Sequence, residues 1–555
     1  MRNHEAGYVV RAADVITMDA ERPRAEALGI RGGRIVSVGS LDQARAALGE
    51  HAPVLDLGGA TVLPGLIDTH MHLLWTGLAH VLLDLAGERS IEGVIAATRA
   101  WADAHPEAPW VVSADGWEIE DIAERRLPTR GELDRACPDR PVLILRCGHE
   151  GAANSAALAL SGLTDGTPDP PGGRLGRDAA GRLTGVLIEP PAIELVRRHM
   201  PPQDDRARRA GIAAAAEQCL AAGLTSVIEP GLRTEELATY QGMHRDGELP
   251  LRVTAMPLLV SGASVEDEIA RLSGLGVRSG FGDDRLRLGP VKVFLDGGGS
   301  LGTAYLREPW PGRCDDHGHP DHGHPDHGHP DHGQLLLDPG SMRVLAAGLV
   351  RHGWSLGVHA VGGGALDLLF DVLDHADRVA PVEPLRCQAI HAYLTPSERN
   401  MADARRLGVV VATQPTMQEQ FAGRLIDRLG RDTAAAATPL ATWHRAGVRL
   451  AGGSDSPVTP FQPLRGIWQA VTRHHEPSAG PLGPAERLDV ATALRMYTAD
   501  AAYAAFNDHA VGVLRPGMRA DWTALAADPT RCPPDEIRDL PVLATAVDGE
   551  IRHRA

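Results

Sequence analysis

The run LPGLIDTHMH, residues 63–72, ends in two histidines one residue apart, His70 and His72. On a strand, residues i and i+2 share a face, so the spacing predicts both imidazoles on one side of a strand's C-terminal end. Imidazole suits zinc and similar divalent ions. An HxH pair alone is a weak sign of a metal site, so the rest of the chain must supply partners. His359 ends WSLGVHA and His391 ends RCQAIHA, each a lone histidine at the end of an apolar run. Taken singly, each reads more readily as a satisfied core histidine; taken together with His70 and His72, they read as further ligands. Asp455 follows another apolar run in VRLAGGSDSPV. Its carboxylate can bind a metal and accept a proton from water, although Asp-Ser-Pro is also good turn and cap chemistry.

Lysine is the rarest chemistry in the chain. Lys and Arg together number 55, and Lys292 is the single lysine. Where only positive charge is needed, arginine has replaced lysine throughout. A position that keeps the amine points to a need for a group that can lose its proton when buried and act as a nucleophile. Chance survival of one surface lysine is the alternative. Weaker candidates for lining a pocket are His149 in GHEGAANSAAL, Asp115 and Trp117 in SADGWE, Glu189 after GVLI, and Gln414 in VATQP. Residues 317–333 repeat a His-Gly-His-Pro-Asp unit and hold His317, His319, His322, His324, His327, His329 and His332. That composition predicts an exposed loop. It reads either as metal capture or as a neutral repeat expansion.

The elements that must position these residues are legible as alternation. Short apolar runs such as TSVIEP, LRVTAMPLLV, RLGPVKVFLD and VRLAGGSD interleave with Ala-rich helical stretches between about 60 and 500. This signals βαβ units and a parallel sheet. Residues 8–56 and 511–553 are instead β-rich with Gly-containing turns, so the two ends are predicted to pair into one small sandwich. The expected organisation is a composite β-sandwich from 1–58 and 506–555 around a central domain of 59–505. That domain carries an insertion at about 85–200 and the His-rich loop at 315–333.

PGLIDTHMH resembles the first-strand signature of the amidohydrolase superfamily, and the later lysine, two histidines and aspartate follow in that family's order. GHEGAANSAAL, VKVFLDGGGSLGTA, HAVGGGALD, SDSPV and the closing TADAAYAAF and GVLRPGMRADW are similar to its YtcJ-like, N-substituted formamide deformylase-like branch, amidohydrolase family 3. The resemblance implies an α/β fold: a (β/α)8 TIM-type barrel with the terminal β-sandwich and an inserted subdomain. It implies a hydrolase of amide or formamide C–N bonds using one or two divalent ions, most readily zinc, and a metal-bound hydroxide. His70, His72, Lys292, His359, His391 and Asp455 would be ligands, with Lys292 carboxylated as a bridge. Asp455, Lys292 and His391 would be the catalytic set, and His149, Trp117, Asp115, Glu189 and Gln414 would face substrate. The chain departs from the family at Gly362-Gly363, where Gly-Asp is usual, and in a glycine run at 297–299 that is one residue longer.

Bulk composition is consistent with this. The 555 residues are 43% hydrophobic and 23% charged, with a net charge of −17. An acidic chain without a basic stripe argues against nucleic acid and anionic membranes as partners. Cys137, Cys147, Cys219, Cys314, Cys387 and Cys532 show no CxxC pairing, as expected of reduced thiols. No uninterrupted apolar stretch reaches about 18 residues, so a cytoplasmic protein is expected, a homodimer by analogy with the family, and a small-molecule substrate. Rival readings are a deaminase or esterase on the same site, a metal-buffering protein acting through the repeat, and a catalytically inactive binding protein.

Overall fold

The computed structural model describes residues 7–201, 203–259, 263–274, 276–311, 331–478 and 480–555. The histidine repeat from His317 to His329 and Cys314 lie outside the described residues.

The two chain ends do share a sheet. Its eight strands run in the order Glu550–Arg554, Val542–Val547, Trp522–Leu525, Thr61–Pro64, Tyr8–Ile16, Arg24–Arg31, Arg34–Gly39, with Val54–Asp56 also paired to Tyr8–Ile16. The strand Thr61–Pro64 belongs to this sheet, beyond the expected boundary at 58, and one residue later the chain enters the central sheets. Gly65 makes that crossing possible, because a Cβ there would fall 2.2 Å from the Thr225 hydroxyl.

Among the described residues the centre is a mixed α/β arrangement with nine parallel strands. Leu66–Asp68, Leu224–Leu232, Arg252–Pro257 and Leu286–Leu288 form one sheet in that order; Val291–Phe294, Leu356–Ala360, Gln388–His391, Val410–Thr413 and Leu450–Gly452 form the other. Two contacts link the sheets. Leu258 bridges Lys292 in parallel, and the Thr69 N–H donates to the Gly452 carbonyl at 3.0 Å. Helices such as Asp205–Ala221, Pro339–Arg351, Gly363–Asp377 and Pro415–Leu429 fall between successive strands. Arg252–Pro257 and Leu356–Ala360 are buried at every residue, as strands covered on both faces must be. Parallel strands put all their C-terminal ends on one side, which is where the candidate ligands lie.

Between 85 and 200 the chain builds a separate five-stranded sheet, Arg174–Arg177, Leu183–Ile188, Glu150–Ala153, Val142–Arg146, Val111–Val112. It has its own apolar cores, one around Val94, Leu133 and Ile144 and one around Leu143, Leu187 and Ile193. Ion pairs tie it to the centre: Arg424, on the helix Pro415–Leu429, reaches Glu118 and Glu120 at 2.8 Å each, and Arg146 reaches the same two carboxylates.

Candidate metal centre

His70 and His72 do not sit on a strand as the i, i+2 reading predicts. The strand Leu66–Asp68 ends first, and His72 is the residue before the helix Leu73–Leu78. Asp68 is the cause: its Oδ1 accepts the His70 N–H at 3.0 Å and the Ser454 N–H at 3.1 Å, which turns the chain. Buried Glu229 then accepts the Leu73 N–H at 2.6 Å and the Tyr240 hydroxyl at 3.0 Å, holding the start of that helix. Both imidazoles still converge. His70 Nε2 and His72 Nε2 each stand 3.4 Å from Asp455 Oδ1. One donor atom from each of these three buried residues lies within 4.8 Å of the others. Two imidazole nitrogens and a carboxylate at this spacing fit a zinc-like ion.

The remaining predicted ligands adjoin this trio. Lys292 Nζ is 3.2 Å from His70 Nε2. The His70 and His391 ring centroids are 5.4 Å apart, and those of His391 and His359 are 4.6 Å apart. Burial pushes the Lys292 amine down to about 7 and the His391 imidazole down to about 4, and holds His70 and His359 well below the usual histidine range. These groups therefore favour neutral forms, which is what metal ligation and amine chemistry require. Burial pushes the Asp455 carboxyl up, but the hydrogen bond from His72 and the charges of His391, His72 and Lys292 outweigh it and hold it below its ordinary value.

Of the two outer histidines, His391 is oriented by a hydrogen-bonded partner. The His391 Nδ1–H donates to Gln414 Oε1 at 2.7 Å, which turns Nε2 toward the centre. Gln414 is thus a buried support for His391 rather than a rim residue. His359 Nδ1 lies 3.3 Å from Asp296 without a hydrogen-bond partner among the described residues, and the Asp296 carboxylate accepts the Val361 and Gly362 N–H groups at 2.9 Å. Such outer carboxylates and amides fix ring orientation at metal sites. Asp68, Glu229 and Asp296 were not singled out from sequence. Period two offered a signal for two of them: Asp68 precedes His70 by two residues, and Asp296 lies four beyond Lys292.

The insertion supplies the opposite wall. The His149 Nδ1–H donates to Glu189 Oε2 at 2.6 Å, and the His149 ring lies 5.1 Å from that of His359. A carboxylate can only accept, so Nδ1 carries the proton and Nε2 is left for another contact. Glu189 is fully buried, has φ +69° and ψ 155°, and its Oε1 has no partner among the described residues. Gly297 admits it, since a Cβ there would fall 2.4 Å from Oε1. His391 at φ +72° and Asp455 at φ +60° share left-handed backbone. Such non-glycine conformations cost roughly 1–3 kcal/mol each and cluster at functional sites. Asp115 is half-buried, its buried Oδ1 has no partner among the described residues, and desolvation pushes its carboxyl up to about 6. Trp117 is not brought into this group: its indole N–H donates to the Leu145 carbonyl at 2.7 Å, and its ring packs into the core of the insertion.

Comparison with known proteins bears on the chemistry. Residues 53–553 match the model described as "Amidohydrolase family". The N-substituted formamide deformylase of Arthrobacter pascens is 31% identical over 556 residues, covering 98% of this chain and 97% of its own length. YtcJ of Bacillus subtilis (strain 168) is 30% identical over 549 residues, 97% of each chain. Among solved structures, an uncharacterized metal-dependent hydrolase from Pyrococcus horikoshii OT3 superposes with a TM-score of 0.74 at 23% identity, over 95% of this chain and 99% of the other. That last likeness is one of fold.

Proposed function

The chain belongs to the amidohydrolase family, and from that premise we propose that it hydrolyses the C–N bond of small N-substituted formamides or related amides. The observation that carries this reading is the convergence of His70, His72 and Asp455 within 4.8 Å, with the chain's single lysine 3.2 Å from His70. His70, His72 and Asp455 would hold one zinc-like ion, and His359 and His391 a second. Lys292, as the neutral amine, would add CO2 to give a bridging carbamate and release one proton. A bound divalent ion lowers the pKa of water and polarises a carbonyl.

The protein's own residues do the rest. Asp455 takes the proton of the attacking water and returns it to the leaving nitrogen, as general base and then acid. Gln414 holds His391 in orientation, and Asp296 lies beside His359. His149, held by Glu189, turns Nε2 to the substrate oxygen, with Asp115 beside it. We read the two parallel sheets as one closed (β/α)8 barrel over residues 59–505 and the terminal sheet as the small composite sandwich.

Metal content per chain tests the site. Wild type and a variant lacking residues 317–333 are expected to retain one to two zinc-like ions, and Lys292→Arg to lose at least the bridged ion. If the deletion empties the protein while Lys292→Arg changes nothing, the histidine repeat is the metal-binding part and the hydrolase reading fails. A panel of N-substituted formamides, read by formate and amine release, then tests the substrate class. Ammonia without formate would instead mark a deaminase on the same residues.

A further inference from the structure

A second site lies at the other end of the strands. His359 and His391 stand at the C-terminal ends of Leu356–Ala360 and Gln388–His391, whereas Gly353 and Arg386 precede the N-terminal ends of the same strands. Gly353 and Arg386 line a cavity of about 610 Å3. Four guanidiniums face it, those of Arg278, Arg287, Arg386 and Arg515, against one lining carboxylate, Asp508. That carboxylate is already engaged, because Arg386 Nη1 donates to Asp508 Oδ1 at 2.7 Å.

This concentration runs against the rest of the molecule. The net charge is −17, and arginines elsewhere are commonly paired with Asp or Glu, as Arg252 is with Asp521 and Arg307 with Asp367. Here, Arg278 and Arg515 have no ion pair or side-chain hydrogen bond among the described residues. Arg287 gives one N–H to the Gly280 carbonyl at 2.9 Å and stands 3.8 Å from Asp284, yet its buried Nε has no partner among the described residues. The wall is also built at a conformational cost. Arg386 at φ +54° and Phe506 at φ +57° both occupy left-handed backbone, which is unfavourable for bulky residues. The Arg386 guanidinium lies 4.0 Å from the Tyr503 ring centroid and 5.4 Å from that of Phe506, so it is held in place by stacking.

We propose that this cavity binds a small oxyanion, a phosphorylated or polycarboxylate metabolite, independently of the metal centre. Guanidinium forks match pairs of phosphate or carboxylate oxygens. The cavity exceeds the size of inorganic phosphate, and Phe506 offers an apolar face for an organic body. Unpaired guanidiniums at one end of an acidic protein also attract an anion that the remaining surface repels.

Calorimetric titration of the full-length holoprotein with inorganic phosphate, and separately with succinate, tests this at ionic strength matched by NaCl. Saturable binding of either anion is expected, with a rise in melting temperature; phosphate alone would indicate a phosphorylated ligand and succinate alone a carboxylate. Arg278→Ser/Arg515→Ser removes two exposed side chains and is expected to keep the fold and metal content while weakening binding at least roughly tenfold. Arg287→Gln is expected to do the same from the buried side. Two results would overturn the proposal: no saturable heat beyond the NaCl control, or binding undiminished in the Arg278→Ser/Arg515→Ser protein, which would put the anion at the metal centre.

Discussion

His149 and Glu189 allow a residue-scale test that separates orientation from metal binding. Neither is needed to hold the His70, His72 and Asp455 trio, but both face it from the insertion. Positioned proton donors and acceptors contribute about 10²–10⁴-fold to rate. Glu189→Gln keeps the shape of the side chain but no longer fixes the proton on Nδ1 of His149. It is therefore expected to lower kcat/KM by about 10²-fold, mostly in kcat, with metal content and melting temperature unchanged, and His149→Asn to do the same. Loss of metal or of the fold in Glu189→Gln would show the pair to be structural. The residue scale is also where sequence was most informative. Lys292 stood out because it is the only lysine among the 55 Lys and Arg residues, and it lies buried beside His70. Asp68 was not legible, since its role depends on the Ser454 N–H, 386 residues away in sequence. Trp117 read as a pocket residue because it neighbours Asp115, but the two point into different surroundings.

At the scale of elements, alternation of apolar and helical stretches predicted parallel strands, and the pairing registers agree. What the alternation could not supply is where a strand stops. His70 and His72 lie past the end of theirs because side-chain acceptors, not period two, direct the backbone there. Helix starts in the insertion follow more local rules. Thr129 and Glu132 form a capping box on Arg130–Ala136, and Glu132 also accepts two N–H groups of Arg126 at 2.7 and 2.8 Å. The hydrogen bonds from Arg126, foremost among these contacts, lower the Glu132 carboxyl to about 2. A depressed acid pKa gives stability that is complete above the unfolded value near 4.5 and is lost as pH falls toward 2. Because Glu132 is partly open to solvent, screening reduces this to about 1 kcal/mol. Glu132→Gln is thus expected to destabilise by about 1 kcal/mol at pH 5–7 and by progressively less below 4.5. Urea unfolding of both proteins across that range checks it, and a difference that stays constant with pH would refute the ion-pair account.

The whole molecule depends on how its separately cored parts are joined. The terminal sheet has its own core around Val10, Leu28 and Trp522, distinct from the one around the central strands. Arg252, at the start of the central strand Arg252–Pro257, crosses between them. Its Nε and Nη2 donate to the two oxygens of Asp521 at 2.7 and 2.8 Å, and Nη2 also donates to Asp548 at 2.6 Å. The Asp521 carbonyl in turn accepts the Gly65 N–H at 3.0 Å, at the point where the chain enters the centre. Arg252 and Asp521 are both buried, so removing one partner leaves a charge out of water without its bidentate acceptor. Asp521→Ala is expected to cost about 3–5 kcal/mol in denaturant unfolding. Replacing both groups by apolar ones is a different experiment, because no unpaired charge remains. Arg252→Met/Asp521→Leu is expected to recover most of that loss, although Asp548 then loses one arginine partner and must lean on Arg285 and Arg519, which already face it. If Asp521→Ala costs less than about 1 kcal/mol, in the range of an exposed pair, the joint is held by apolar contact between the sheets and the buried arginine is incidental to it.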